Sequence, residues 1–450
     1  MKLSRLVNLL GNHLNIRKTD LNVMKIPGND RQACLGVVPA KYAPCRDTAC
    51  RVRAQRPIFK WPLILFVLLY SLTLVSAQTD TPTGVTSVTV TRIATGLLNP
   101  RGVVVMPGGS LLVAEVGTGE MEEAADGPLA GKTGRLSLFH DFNRDGDFDD
   151  ASERVPVLDS LPAYNILYQF NPGRDEVVGI GDLVRLADGR VFFTQDDNFE
   201  TLAVVELDSG LQRVGLLTQG SGSMNSLVYD ETRQRLYIAE STLNSISSVT
   251  LDGDYEQVVI FDNLANGQQA VPSGLALDPL TGDLLVTLFS GQLWDYYGEI
   301  LSFMPGDAKV VRLNPETGEI RNEITGLTTA VDLAVGTDGT LYVVEMTTTW
   351  PTPTLSYQFD LLDPDAPPDP GGYARYTGRV TLYPPDRRDP VVLTDKLDAP
   401  TNITLHETDT ASMLYVSTGQ GTPGRTVWGP DGLMQITGEL IQITLPHPTS

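Results

Sequence analysis

Between Asn99 and the C-terminus one pattern of apolar and polar positions recurs six times: an apolar strand, a turn usually made by Asp-Gly or Gly-Gly, and a second apolar strand. The copies occupy residues 101–115, 181–195, 225–240, 273–288, 332–345 and 401–417. With Val103, Leu183, Leu227, Leu275, Leu333 and Ile403 taken as equivalent, successive copies lie 80, 44, 48, 58 and 70 residues apart. The short intervals are the length of a bare four-stranded sheet, so the long ones carry loop insertions rather than additional sheets. One such sheet cannot bury both of its faces alone. The pattern therefore predicts an all-β chain, a six-bladed β-propeller of four-stranded blades.

Within a blade the strands, A to D, run outward from the channel; in the second blade they are expected near 183–186, 191–195, 202–207 and 212–218. The last unit stops after its third strand, 439–445, while a surplus strand, 88–94, precedes the first. That N-terminal strand is expected to complete the sixth blade, which closes the ring and removes exposed sheet edges. The large insertions, 116–133, 289–298, 347–376 and 419–436, all fall between B and C strands and so build up one face. Trp294, Tyr296, Tyr297, Trp350, Tyr357, Tyr373 and Trp428 lie in them. Aromatic side chains gathered on loops of a rigid scaffold suit ligand recognition, and they equally suit anchoring of the loops themselves.

Charge changes along the chain. The first 60 residues hold 12 Lys and Arg against 3 Asp and Glu, leaving 21 basic and 52 acidic residues after them. So acidic a propeller speaks against nucleic acid or an anionic membrane as partner and favours cations. Residues 61–77 form a short apolar run behind Arg51, Arg53, Arg56 and Lys60, and end in Val75-Ser76-Ala77, the layout of a secretory signal cleaved after Ala77. Residues 57–77 are thus read as a signal peptide, or an uncleaved anchor with the propeller outside. Residues 78–87 are a linker and 88–450 the propeller. Residues 1–56 read as a leader extension that fits a start assigned too early. All three cysteines, Cys34, Cys45 and Cys50, lie in it at spacings that match no common zinc pattern, so the exported part has no thiols.

The sharpest chemical motif is the run Asp141, Asn143, Asp145, Gly146, Asp147, Asp149, expected between strands C and D of the first blade. Oxygen side chains at positions 1, 3 and 5 with glycine at 6 wrap a chain around one hard cation, so Ca2+ with a structural role is expected. Position 12 is Ser152 rather than a bidentate glutamate, and closure falls to Asp149, Asp150 or Glu153. A solvated Asn/Asp/Gly turn is the other reading. Glu115, Glu240 and Glu345 end B strands of alternate blades, and Arg101, Asp182, Asn225, Asp332 and Asn402 stand at or beside A-strand starts on the same face. Such a ring could hold a second cation or polarise a carbonyl at the channel mouth; the carboxylates could equally serve only loop amides. Four histidines in 450 residues, and no Gly-x-Ser-x-Gly elbow, leave little for a zinc site or a nucleophilic triad.

Residues 94–103, 271–276 and 329–346 carry phrases that resemble the ScyD/ScyE family of secreted NHL-like propellers, a likeness extending over roughly residues 88–445. The resemblance implies fold and export more than activity. Together with the acidic loop it gives the expectation of a calcium-binding propeller acting as a ligand-binding or scaffold protein toward a small molecule or an extracellular protein or polysaccharide. Gluconolactonase-like and strictosidine-synthase-like propellers imply the alternative, a cation-dependent lactonase or hydrolase. The former are expected to hold their cation on a Glu, two Asn and an Asp, where this chain has Arg101, Gly181, Asn225, Ser273, Val331 and Thr401.

Overall fold

The computed structural model describes residues 88–119, 131–165, 176–197, 201–220, 223–291, 293–294, 300–301, 303–349 and 373–447. The leader, signal and linker assignments, and Tyr296, Tyr297, Trp350 and Tyr357, lie outside the described residues. The described residues form one compact unit. No helix among the described residues is long and apolar enough to cross a membrane.

Six antiparallel sheets stand in a ring, each with its A strand at the centre. The A strands are Pro100–Val105, Ile180–Arg185, Met224–Asp230, Pro272–Leu277, Ala330–Val335 and Asn402–Glu407. Each packs on the A strands before and after it, and the sixth packs on the first, so blades 2 and 5 are opposite one another. Strands of the second blade, Ile180–Arg185, Val191–Asp197, Thr201–Leu207 and Arg213–Gly220, fall within a few residues of expectation.

Apolar contacts are shared between blades, as the weak alternation of the inner strands requires. One buried cluster joins Leu112, Ala114 and Leu136 of blade 1 to Leu183, Phe193 and Val205 of blade 2. Another joins Val344 and Val380 of blade 5 to Leu414, Val416 and Ile443 of blade 6. The ring closes as expected: Thr89–Leu97 pairs antiparallel with Gly438–Pro446 and becomes the D strand of blade 6. Its ladder carries two bulges, one between Arg92 and Ala94 and one between Thr95 and Leu97.

The fourth blade departs from expectation. Its C strand is Ala308–Leu313, paired with Leu284–Leu288, so the insertion runs well past residue 298. A two-residue hairpin, Leu293–Trp294 with Ile300–Leu301, occupies part of it. Blade 6 carries a second small hairpin, Thr426–Gly429 with Gly432–Gln435, in the same B–C position.

Candidate functional site

The channel is layered because each A strand contributes successive residues to it. At the mouth, on the B–C loop face, Arg101, Gly181, Asn225, Ser273, Val331 and Thr401 all line one cavity of 90 Å³. Each stands two residues before the equivalent apolar position of its copy. In five of the six A strands the ladder bulges at this level, between Pro100 and Val103, Ile180 and Leu183, Met224 and Ser226, Pro272 and Gly274, and Ala330 and Asp332. A bulge leaves one residue unpaired and re-aims it, which turns the mouth residues away from the sheet and into the channel.

Arg101 is the cation of the mouth. Its Nη2 donates to the Val177 carbonyl at 2.9 Å, and burial pulls the guanidinium below its usual range while nearby Glu176 and Tyr373 support the charge. Asp196 is buried on the same wall, accepting from Ser223 Oγ at 3.0 Å and from the Tyr164 hydroxyl at 3.4 Å. Phe289, Met346, Tyr373, Val271 and Val331 make the apolar side. The mouth thus offers one half-buried cation, amides and hydroxyls from Asn225, Asn402, Ser273 and Thr401, and an apolar surface against them.

One step down lie Gly102, Asp182, Ser226, Gly274, Asp332 and Asn402. Around the ring this reads Gly-Asp-Ser and then Gly-Asp-Asn, so the two aspartates, in blades 2 and 5, are opposed. Each aspartate reaches the next blade: Asp182 Oδ2 accepts from Ser226 Oγ at 2.7 Å and from the Leu227 amide at 3.3 Å, and Asp332 Oδ2 accepts from the Ile403 amide at 2.9 Å. Each also needs the glycine of the previous blade. A Cβ on Gly102 would lie 2.7 Å from Asp182 Oδ1, and one on Gly274 would lie 2.5 Å from Asp332 Oδ1. Burial pushes the Asp182 carboxyl up to about 6 against the pull of its hydrogen bonds. Asp332 is raised well above the usual carboxylate range, first by burial and then by the charge of Asp182. Both aspartates line a lower cavity of 420 Å³ open to the opposite face, with Val103, Leu183, Leu227, Leu275, Leu333 and Ile403 below them and His406 on its wall.

Glu115, Glu240 and Glu345 do not line either cavity. Glu115 is held bidentate by Arg135, Nε to Oε1 and Nη2 to Oε2 both at 2.8 Å, and takes the Leu98 amide at 2.8 Å. Glu345 takes the Thr328 amide at 2.8 Å and Arg379 Nε at 2.5 Å. Glu240 accepts from Ser245, Ser247 and the Tyr255 hydroxyl. The mouth is lined one residue later, by Asp196, Phe289 and Met346. Successive strand residues point to opposite sides, so a placement one residue off lands inside the sheet. Sequence reading missed Glu176, Asp196, Ser223, Phe289 and Met346; the signal for three of them was that alternation at the B-strand ends.

The acidic run lies in the C–D connection of blade 1, between Gly131–Phe139 and Arg154–Asn165. Its oxygens form a ladder: Asp141 accepts from the Arg144 and Gly146 amides, Asn143 from Asp145, Asp145 from Asp147, and Asp147 from Asp149. Gly146 has φ +93°, which a side chain disfavours. Glu153 folds back beneath the run, with Oε1 accepting from the Phe142 amide at 3.0 Å. Its Oε2 is buried with no hydrogen-bond partner. Among the described residues no three His, Cys, Asp or Glu side chains converge as a metal-binding group. Of the aromatic residues expected on this face, Tyr373 lines the mouth and Trp428 is 59% exposed on the blade 6 hairpin; Trp294 lies in the blade 4 hairpin.

No family model matches the sequence, and no curated protein matches it. Solved structures do. A virginiamycin B lyase from Staphylococcus aureus is 12% identical over 80% of this chain and 100% of its own, with a TM-score of 0.42. A gluconolactonase from Xanthomonas campestris is 11% identical over 81% of this chain and 91% of its own, at 0.45. A PQQ-bound aldose sugar dehydrogenase from Streptomyces coelicolor is 14% identical over 80% and 99%, at 0.40. Likeness of this order carries no argument about chemistry, and the propeller assignment stands on this chain's own strand pairing.

Proposed function

We propose that the chain is an exported, calcium-binding propeller of the ScyD/ScyE type that holds a small polar ligand at the channel mouth. The observation that carries this reading is the convergence of six A-strand starts on one cavity around half-buried Arg101. At roughly 10–15 Å³ per water-sized group, the cavity takes about six to nine such groups. A half-buried guanidinium beside amides, hydroxyls and an apolar wall suits a small carboxylic or sugar acid with an apolar edge. Export rests on residues 57–77, and calcium on the 141–153 loop, where Glu153 Oε2 is buried without a partner.

The test is a thermal-shift panel of small carboxylic acids, sugar acids and lactones on the purified protein. A bound ligand raises the unfolding temperature in a concentration-dependent way. At least one acid is expected to do so, and Arg101→Met to abolish the shift while folding normally. A panel without shifts, or one unaffected by Arg101→Met, sinks the reading.

One observation favours the lactonase or hydrolase alternative. Asp182 and Asp332 share an environment that keeps a carboxyl protonated toward neutral pH, the condition for general acid–base work. Lactone turnover that survives Arg101→Met and is lost in Asp332→Asn would favour it over simple binding.

A further inference from the structure

The acidic loop of blade 1 does more than turn the chain. Phe148, inside the run, is buried in the same apolar cluster as Ile93, Ala94 and Leu97 of the closing strand and Phe139 of blade 1. Its amide donates to the Ile93 carbonyl at 2.7 Å. Next along, Asp149 Oδ1 accepts the Thr95 amide at 2.8 Å and is paired with Arg154 Nη2 at 2.7 Å. Arg154 Nε in turn donates to the Phe148 carbonyl at 2.6 Å.

These bonds fall where the closing strand is weakest. Its ladder with Gly438–Pro446 bulges around Ile93 and again after Thr95, and a bulge costs ladder hydrogen bonds. Ile93 and Thr95 are the two residues that the loop grips. Blades 6 and 1 also meet through their A strands, but the chain runs between them only through this strand, whose pairing with Gly438–Pro446 is non-covalent, whereas successive blades elsewhere share continuous chain.

We infer that calcium in the 141–153 loop acts as a latch on ring closure, an inference that rests on the calcium reading above. The ion would draw Asp141, Asn143 and Asp145 onto Glu153, whose Oε2 is unpartnered in a residue 1% exposed; the carboxylates of this set do not converge by themselves. A buried carboxylate oxygen without a donor is unfavourable until a cation meets it. Asp149 keeps Oδ1 on the Thr95 amide and has Oδ2 left for the ion. With the ion in place, the segment that carries Phe148 and Asp149 is fixed, and so is the strand bonded to it. Without it, the acidic run repels itself and the seam between blades 6 and 1 loosens.

The experiment is hydrogen exchange on the purified protein in calcium and in chelator, with calorimetric titration of calcium alongside. One site is expected, and calcium should slow exchange in residues 89–97 by at least about tenfold while leaving Ser245–Thr250 of blade 3 unchanged. Glu153→Gln should weaken calcium binding by about tenfold or more and remove that protection. Asp145→Asn, at an exposed position, repeats the test should Glu153→Gln not fold. Phe148→Ala should still bind calcium but lose the protection of 89–97. Calcium binding with no change in residues 89–97 overturns the latch and leaves the calcium reading standing. Absence of binding overturns the calcium reading itself, and the latch with it.

Discussion

Glu115 and Glu345 end B strands and face an arginine on the neighbouring C strand, whereas Asp182 and Asp332 stand on A strands and face one another through the channel. Glu115, Glu345 and Asp332 are buried and Asp182 is half-buried, yet their surroundings differ in kind. The glutamates have a dedicated cation and a loop amide, so their charge is matched where it sits. The aspartates have hydrogen-bond donors but, among the described residues, no cation bonded to them, and the charge of Asp182 raises the cost of ionising Asp332. Strand-end glutamates hold the D–A turns in place. Channel aspartates hold neighbouring blades together at the expense of an electrostatic strain that a ligand or a proton can relieve.

The largest effect in this comparison is expected from a methyl group. Gly274→Ala puts a Cβ 2.5 Å from Asp332 Oδ1 and 2.6 Å from Asp332 Cα. The second contact is backbone, so a side-chain rotation cannot relieve it. Overpacking of this kind costs about 3 kcal/mol, read as a lower urea midpoint at unchanged slope. Gly102→Ala, with the equivalent contacts at 2.7 and 2.8 Å, should behave alike. If both variants unfold as the wild type does, the aspartates are not wedged against the preceding blade and the two-fold reading of the ring is lost.

Next comes the pairing of the glutamates. Arg379→Met leaves Glu345, 1% exposed, with only the Thr328 amide. Breaking a fully buried pair costs about 3–5 kcal/mol; Arg379 is 35% exposed, which scales the loss to about 2 kcal/mol. Glu345→Gln should cost less, because the freed guanidinium is left reaching water. Equal losses from the two variants would remove the distinction drawn above between a matched and a strained carboxylate.

The aspartate pair makes its own prediction in pH. A carboxyl whose folded pKa lies above its unfolded value contributes stability that is complete below the unfolded value and lost as pH rises through the folded one. For Asp182 that window runs from 3.8 to about 6, and for Asp332 it extends higher. Two pKa units correspond to about 3 kcal/mol at most, and relaxation around a buried group leaves roughly 1–2. Asp332→Asn removes one charge, so the loss of urea stability from pH 5 to pH 8 should be shallower than in the wild type. Superimposable pH profiles would mean that the two carboxyls do not sense each other.

The ring itself was legible because it is written in a local signal, an apolar strand, a tight turn and an apolar strand, repeated with the same phase. Even the mouth positions Arg101, Asn225, Ser273, Val331 and Thr401 could be read off by alignment of the copies. What could not be read was which side of the sheet a strand-end residue takes. The A strands bulge at the mouth, and a bulge shifts the alternation by one, so Glu240 and Glu345 look like channel residues until the pairing is known. Glu176 and Ser223 come from connections that have no repeat phase at all. The C strand of blade 4 was hidden for a related reason: Ile300–Leu301 is apolar and strand-like, but it belongs to a hairpin outside the sheet.

Glu240 is the third member of the strand-end set and the exception within it, since no arginine faces it. Across from it in register is Ser245, and its charge is shared among the hydroxyls of Ser245, Ser247 and Tyr255. The Tyr255 hydroxyl lies 2.8 Å from both carboxylate oxygens. Desolvation first, then the Glu240 charge, pushes the phenol up to about 12. Tyr255→Phe removes one donor of three and leaves the others, so the expected loss is about 1 kcal/mol, smaller than for Arg379→Met at the matching blade. The phenol also supplies an optical readout: Tyr255, Tyr342 and Tyr376 should all ionise late in an alkaline titration of the folded protein, each pushed up to about 12, and the amplitude of that late step should fall by about a third in Tyr255→Phe. If the amplitude is undiminished, the hydroxyl is not on the glutamate, and Glu240 is not matched by hydroxyls as its two counterparts are by arginines.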